Sequence, residues 1–269
     1  MTRTLTALFL LTVLAVGIAL LAPSLAQPLA YHAFADRRTL LGIPNLLDVA
    51  SNAAFLLAAI YGIAVTLASR TAFATASERW TFAVFFGALA LTAIGSAWYH
   101  LDPGNERLFW DRLPMTVAFM SLVATQLGER LDPRVGAIAL APLLLVGMLT
   151  VVHWRTTERS GDGNIVPYVA LQLWALGALT ILAMRRSRYS HGAVIFAVIA
   201  LYSVAKGFEV FDRAILDLGG VVSGHTLKHL VAATSGVVLA WTLARRRVVV
   251  ALTAPEPAGR DVLAASRLP

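Results

Sequence analysis

The chain contains no cysteine. That absence excludes disulfide bonds and thiolate metal ligands together. Charge is also scarce: 14% of the 269 residues are Asp, Glu, Lys or Arg, against roughly a quarter in an average soluble domain. The formal charge is +7, yet no long basic stretch exists to track nucleic acid, and no nucleic-acid partner is expected. No internal repeat of the kind that marks many transporters is visible. A secreted disulfide scaffold, a disordered chain and a nucleic-acid binder are all excluded. What is present is apolar: 58% of residues are hydrophobic and the mean hydropathy is +0.72. These values indicate an integral membrane protein. They do not distinguish transport, signalling and chemistry.

Apolar runs near twenty residues recur along the whole sequence. At ~1.5 Å per residue, a helix of that length crosses a hydrocarbon core of roughly 30 Å. Eight spans are predicted, near 5–23, 46–69, 79–100, 112–129, 134–153, 165–184, 191–211 and 223–244. Turn or charge signals separate them, such as Asp102-Pro103-Gly104-Asn105 and Arg185-Arg186-Ser187-Arg188. The expected fold is an all-α polytopic membrane protein with a seven-helix core over 27–244. The segment 1–26 is either an extra helix or a signal peptide cut after Ser24-Leu25-Ala26. From 245 to 269, with Pro255, Pro257 and Gly259, a disordered cytoplasmic tail is expected. Arginines gather in the 185–188 loop and after 244, which sets the C-terminus in the cytoplasm. The acids lean to the other side.

Ionisable residues inside membrane spans are costly and point to function. Three groups lie near span ends that this topology puts on one side. Ser96 and His100 are four apart and share a helix face. Asp111 follows a tight turn and returns to the level of His100. His225 and His229, at i and i+4, can clamp one metal ion. Taken singly, each has an ordinary alternative: an interfacial histidine, a helix-capping aspartate, a backbone-bonded serine. Together, three imidazoles with an open position describe a catalytic zinc site.

The order S-x3-H, then Asp eleven residues on, then H-x3-H in the last span resembles the CREST superfamily. That group includes alkaline ceramidases, adiponectin and progestin receptors, haemolysin-III-like proteins and GPI-lipid remodelling proteins. The chain is most similar to the bacterial ceramidase-type branch, through Ile43-Pro44-Asn45, Asp48-Val49-Ala50-Ser51-Asn52, Trp110-Asp111-Arg112-Leu113-Pro114-Met115 and Ser223-Gly224-His225-Thr226-Leu227-Lys228-His229. The resemblance covers residues 30–244 or so, and the first span is extra to it.

That resemblance implies His100, His225 and His229 as zinc ligands. It implies Asp111 as the residue that holds water and moves a proton, and Ser96 as a hydrogen-bond donor to the developing oxyanion. The implied activity is zinc-dependent hydrolysis of the amide of ceramide-like lipids to a fatty acid and a sphingoid base. The implied location is a bacterial inner membrane, with the site toward the extracytoplasmic side. Ester hydrolysis of another lipid is the nearest alternative. A receptor or transporter with a structural zinc is the alternative from another class. Eukaryotic relatives carry an acidic calcium segment before the first core helix. The matching stretch here offers Asp36, Asn45 and Asp48 beside Arg37 and Arg38, so a calcium site is not expected.

Other polar residues have structural readings. Lys206, Glu209, Asp212 and Arg213 are expected to form a salt-bridge network orienting the seventh span, or to contact the metal ligands or a substrate head group. Lys228 is expected to turn away from the histidines toward a carboxylate such as Asp217. His32, His153 and His191 are expected at the interface. Trp80, Trp98, Trp110, Trp154 and Trp241 are expected in an aromatic belt.

Overall fold

A computed structural model describes residues 1–69 and 72–249. The molecule is a helical bundle. In chain order it comprises α1 (Thr2–Leu21), a 3-10 turn at Leu29–His32, and a two-residue hairpin of β1 (Thr39–Leu40) and β2 (Ile43–Pro44). There follow α2 (Leu46–Ala50), α3 (Ala53–Ala68), α4 (Ala76–Leu101), α5 (Asn105–Arg130), α6 (Pro133–Ser160) and α7 (Val166–Ala183). The last three are α8 (Val194–Val210), α9 (Asp212–Gly219) and α10 (Gly224–Arg245). Six helical stretches are long and apolar enough to cross a membrane, counting Leu46–Ala68 as one. The α8–α9 pair, bent by 74°, makes a seventh. The protein is therefore an all-α polytopic membrane protein.

Each predicted span has a helix, but the ends differ. Helices α4, α5 and α6 run past the apolar stretches into polar residues, and α4 and α6 are capped there. Thr75 and Glu78 form a reciprocal capping box at α4. At α6 the Asp132 side chain accepts from Arg134 N, with Pro133 in the first turn. Residues 246–249, the start of that expected tail, lie against the bundle. Arg246 is buried and paired with Glu129, its Nε donates to Ala72 O at 2.8 Å, and Val249 N donates to Arg188 O. Residues 250–269 of that expected tail lie outside the described residues.

Helix α5 is not among the helices apolar enough to qualify as a span on its own, yet it is the most enclosed. Every residue from Met120 to Gln126 is buried, so all its faces meet protein rather than lipid. The main core joins α3, α4, α5, α7, α8 and α10 around Phe82, Phe86, Met120 and Leu243. Helix α1 has no buried residue and lies on α7, where Trp174 Nε1 donates to Thr12 Oγ1 at 3.0 Å.

Helices α5 and α6 approach through glycine. A Cβ on Gly136 would stand 2.5 Å from Ala124 O and 2.7 Å from Gly128 Cα. Those are backbone atoms with no rotamer to yield, as at other small-residue crossings in membranes. Gly136→Ala is therefore expected to lower the thermal midpoint in detergent, through overpacking worth about 1–3 kcal/mol. Gly87→Ala, with nothing within 4 Å of its Cβ, is expected to leave the midpoint unchanged or raise it, since alanine is the better helix former.

Candidate metal centre

The site forms at one end of the bundle, where α4 stops and α5 and α10 begin. Two glycines allow the approach. A Cβ on Gly95 would sit 2.0 Å from Trp110 O, so only glycine lets α4 bring Ser96 against Asp111. A Cβ on Gly224 would sit 2.2 Å from Phe208 O, which ties the start of α10 to the end of α8. Ser223 caps α10, its side chain accepting from Thr226 N at 3.1 Å. The Asp212 carboxylate also accepts from His225 N at 2.8 Å, placing a negative charge at the helix N-terminus.

His100, His225 and His229 are all buried, and one ligand nitrogen from each lies within 4.8 Å of the others. The Nε2 atoms of His100 and His225 face each other at 3.2 Å. Two ligands of a tetrahedral ion, each bonded at ~2.0–2.1 Å, stand about 3.3–3.4 Å apart. His229 Nδ1 meets Ser51 Oγ at 2.8 Å, which leaves its Nε2 free to ligate. Ser51 is presented by the break between α2 and α3, where Asn52 Nδ2 donates to Asp48 O. The donor set fits a metal ion: three imidazoles suit zinc, copper, iron or nickel.

Ser96 is buried and lies beside the Asp111 carboxylate. Both line a cavity of about 440 Å³ that His229 also lines. The structure thus brings all five sequence-predicted site residues to one place.

Several neighbours were not foreseen. Phe34 packs against His100 and His225, with ring centroids 4.6 Å and 4.5 Å away. It belongs to the 27–45 segment, which roofs the triad and is tied down on several sides. His32 meets Tyr99 Oη at 2.8 Å and Asn105 Oδ1 at 2.9 Å, so it is not a free interfacial side chain. Asp36 is paired with Arg38 at 2.7 Å, whose guanidinium holds that carboxyl below its usual range. The stabilisation from this pair is present above the ordinary carboxylate pKa and is lost as pH falls through the lowered one. Asn45 Nδ2 donates to His100 O. Asp48 accepts from Thr226 Oγ1 at 2.6 Å and Ser223 Oγ at 3.2 Å.

Further expectations are corrected. Lys228 does not reach for Asp217: its Nζ lies 2.8 Å from His225 Nε2 and 3.2 Å from Glu209 Oε1. Residues three apart share a helix face, and that spacing from His225 was the overlooked signal. A metal ion on that nitrogen would compete with the ammonium for it, and Lys228 would keep Glu209 as its partner. Trp154 is not in a belt but wholly buried, with the Arg112 guanidinium 4.4 Å from its ring. In the expected network, Lys206 does pair with Glu209. Asp212 instead serves Ala35 N and His225 N.

No protein-family model matches the chain, and no curated protein matches it.

About one equivalent of a divalent transition metal is expected in protein purified without chelator, read by elemental analysis. His225→Ala should remove it. Ser51→Ala should weaken binding by about 10- to 100-fold, because the hydroxyl orients a ligating imidazole.

Proposed function

We propose that this protein is a zinc-dependent hydrolase of amide-linked membrane lipids of the ceramide class, releasing a fatty acid and a long-chain amine. One observation carries the reading. Ser96 and Asp111, neither of them among the three imidazoles, stand together in the wall of the cavity that His229 also lines. A purely structural ion needs neither residue.

Zinc held by the three imidazoles would supply a Lewis acid that polarises a carbonyl and brings the pKa of water near ~7. The other tasks fall to the chain. Asp111 accepts a proton from the attacking water and returns it to the leaving amine nitrogen. Ser96 Oγ donates to the carbonyl oxygen as negative charge develops there. Phe55, Met115 and Tyr202 line both this cavity and an apolar pocket of about 120 Å³, which gives a hydrocarbon tail a dry path. The arginine asymmetry supports a site on the extracytoplasmic side of a bacterial inner membrane, with the C-terminus in the cytoplasm.

Asp111→Asn is expected to lower turnover of labelled ceramide by about 10²–10⁴-fold while bound zinc stays at the wild-type level. Undiminished turnover at normal zinc content would overturn the mechanism. Failure of zinc-loaded wild type to cleave any amide or ester lipid would favour a receptor or transporter with a structural ion. Lipid profiles of membranes exposed to wild type and to His225→Ala would identify the amine released.

A further inference from the structure

We infer that Tyr168 and Tyr202 determine specificity: their hydroxyls hold two hydroxyl groups that flank the scissile amide on the amine half of the lipid. The inference rests on the hydrolase reading and says how that cavity recognises its substrate.

Among the described residues, three tyrosines are buried: Tyr99, Tyr168 and Tyr189. Two have their hydroxyls engaged. Tyr99 Oη meets His32 Nδ1 at 2.8 Å, and Tyr189 Oη donates to Glu78 Oε2 at 2.6 Å. Tyr168 is the exception. It is 7% exposed and lines the cavity that holds Ser96 and Asp111, and its Oη has no hydrogen-bond partner among the described residues. The same holds for Tyr202, which stands in the wall of that cavity from α8. Gln27 and Thr92, also in the wall, are served within the protein. Gln27 Oε1 accepts from Arg112 Nη2 at 2.7 Å, and Thr92 Oγ1 donates to Ala88 O at 2.9 Å.

Buried polar groups are bonded as a rule, and a buried hydroxyl without a partner costs more than a bonded one gains. A ligand oxygen removes that cost. A phenol hydroxyl both donates and accepts, so it matches another hydroxyl, which does the same. The two tyrosines stand at different depths. Tyr168 lies in the first turn of α7, in the same side-chain cluster as Phe34, which covers the imidazoles. Tyr202 lies about two turns inside the end of α8 and also lines the apolar pocket that suits a hydrocarbon tail. A sphingoid-type amine carries one hydroxyl on the head side of the amide-bearing carbon and one on the tail side. Tyr168 takes the first and Tyr202 the second.

The test uses the zinc-loaded full chain with N-palmitoylsphinganine and its 1-deoxy and 3-deoxy analogues. In wild type, each missing hydroxyl is expected to lower kcat/KM by about 3- to 10-fold, the worth of one neutral hydrogen bond. The loss should fall mostly on KM, because the bond forms before the transition state. Tyr168→Phe keeps the ring and its packing. It should abolish the penalty for the 1-deoxy analogue and keep that for the 3-deoxy analogue; Tyr202→Phe should do the reverse. Each comparison is between substrates of one variant, so a partly unfolded sample does not move it. Equal cleavage of all three lipids by wild type overturns the inference and leaves the hydrolase reading standing. Penalties that survive both substitutions overturn the role given to the tyrosines. Penalties relieved in the opposite order overturn the assignment of each tyrosine to its hydroxyl. Cleavage of none of the three overturns the hydrolase reading and this inference with it.

Discussion

Lipid offers no hydrogen bonds, so each polar group within the bundle must find its partner in protein. That constraint sorts the scarce charges of this chain into two compact sets at opposite ends of the helices. At one end, three imidazoles, Ser96, Asp111, Asp48 and the lysine–glutamate cluster surround a cavity. At the other, Glu129 pairs with Arg246, and Tyr189 Oη donates to Glu78 Oε2 at 2.6 Å. Between them the interior is hydrocarbon around Phe86, Met120 and Leu179. Helix α5 connects the two sets. It can carry charge at both ends because its middle never meets lipid.

The fold was largely legible in the sequence because hydropathy answers directly to the solvent. Eight apolar runs became eight long helical stretches, one of them broken between α2 and α3, with the other differences at helix ends. The triad was legible for a local reason: His225 and His229 repeat at the helix period, and His100 keeps the same period with Ser96. What stayed hidden depends on tertiary approach. No local pattern shows that Phe34, from an irregular segment, covers two imidazoles, or that Trp154 is buried beneath a guanidinium. Lys228 was misplaced although its spacing from His225 was visible. The expectation that a charge in a span escapes to water outweighed the helix geometry.

Backbone departures from regular structure concentrate where the chemistry gathers. The α2–α3 break frees Ser51 to hold His229, and the α8–α9 bend carries Asp212 under the first turn of α10. Gly95 and Gly224 mark the two closest helix approaches at the centre. Each local irregularity gives up some helix regularity and in return fixes a ligand or its support. Fixed donors of this kind are what let a site act on developing charge without first reorganising.

Helix α10 spans about 33 Å at 1.5 Å per residue and is fastened at both extremes. Near its start the Asp48 carboxylate grips Ser223 and Thr226; just past its end Arg246 is locked to Glu129 and Ala72. A rod fastened at both ends resists sliding and rotation about its own axis. The rotational setting of His225 and His229 is therefore shared property, held by an arginine at the far end of the bundle as well as by the groups that touch the imidazoles.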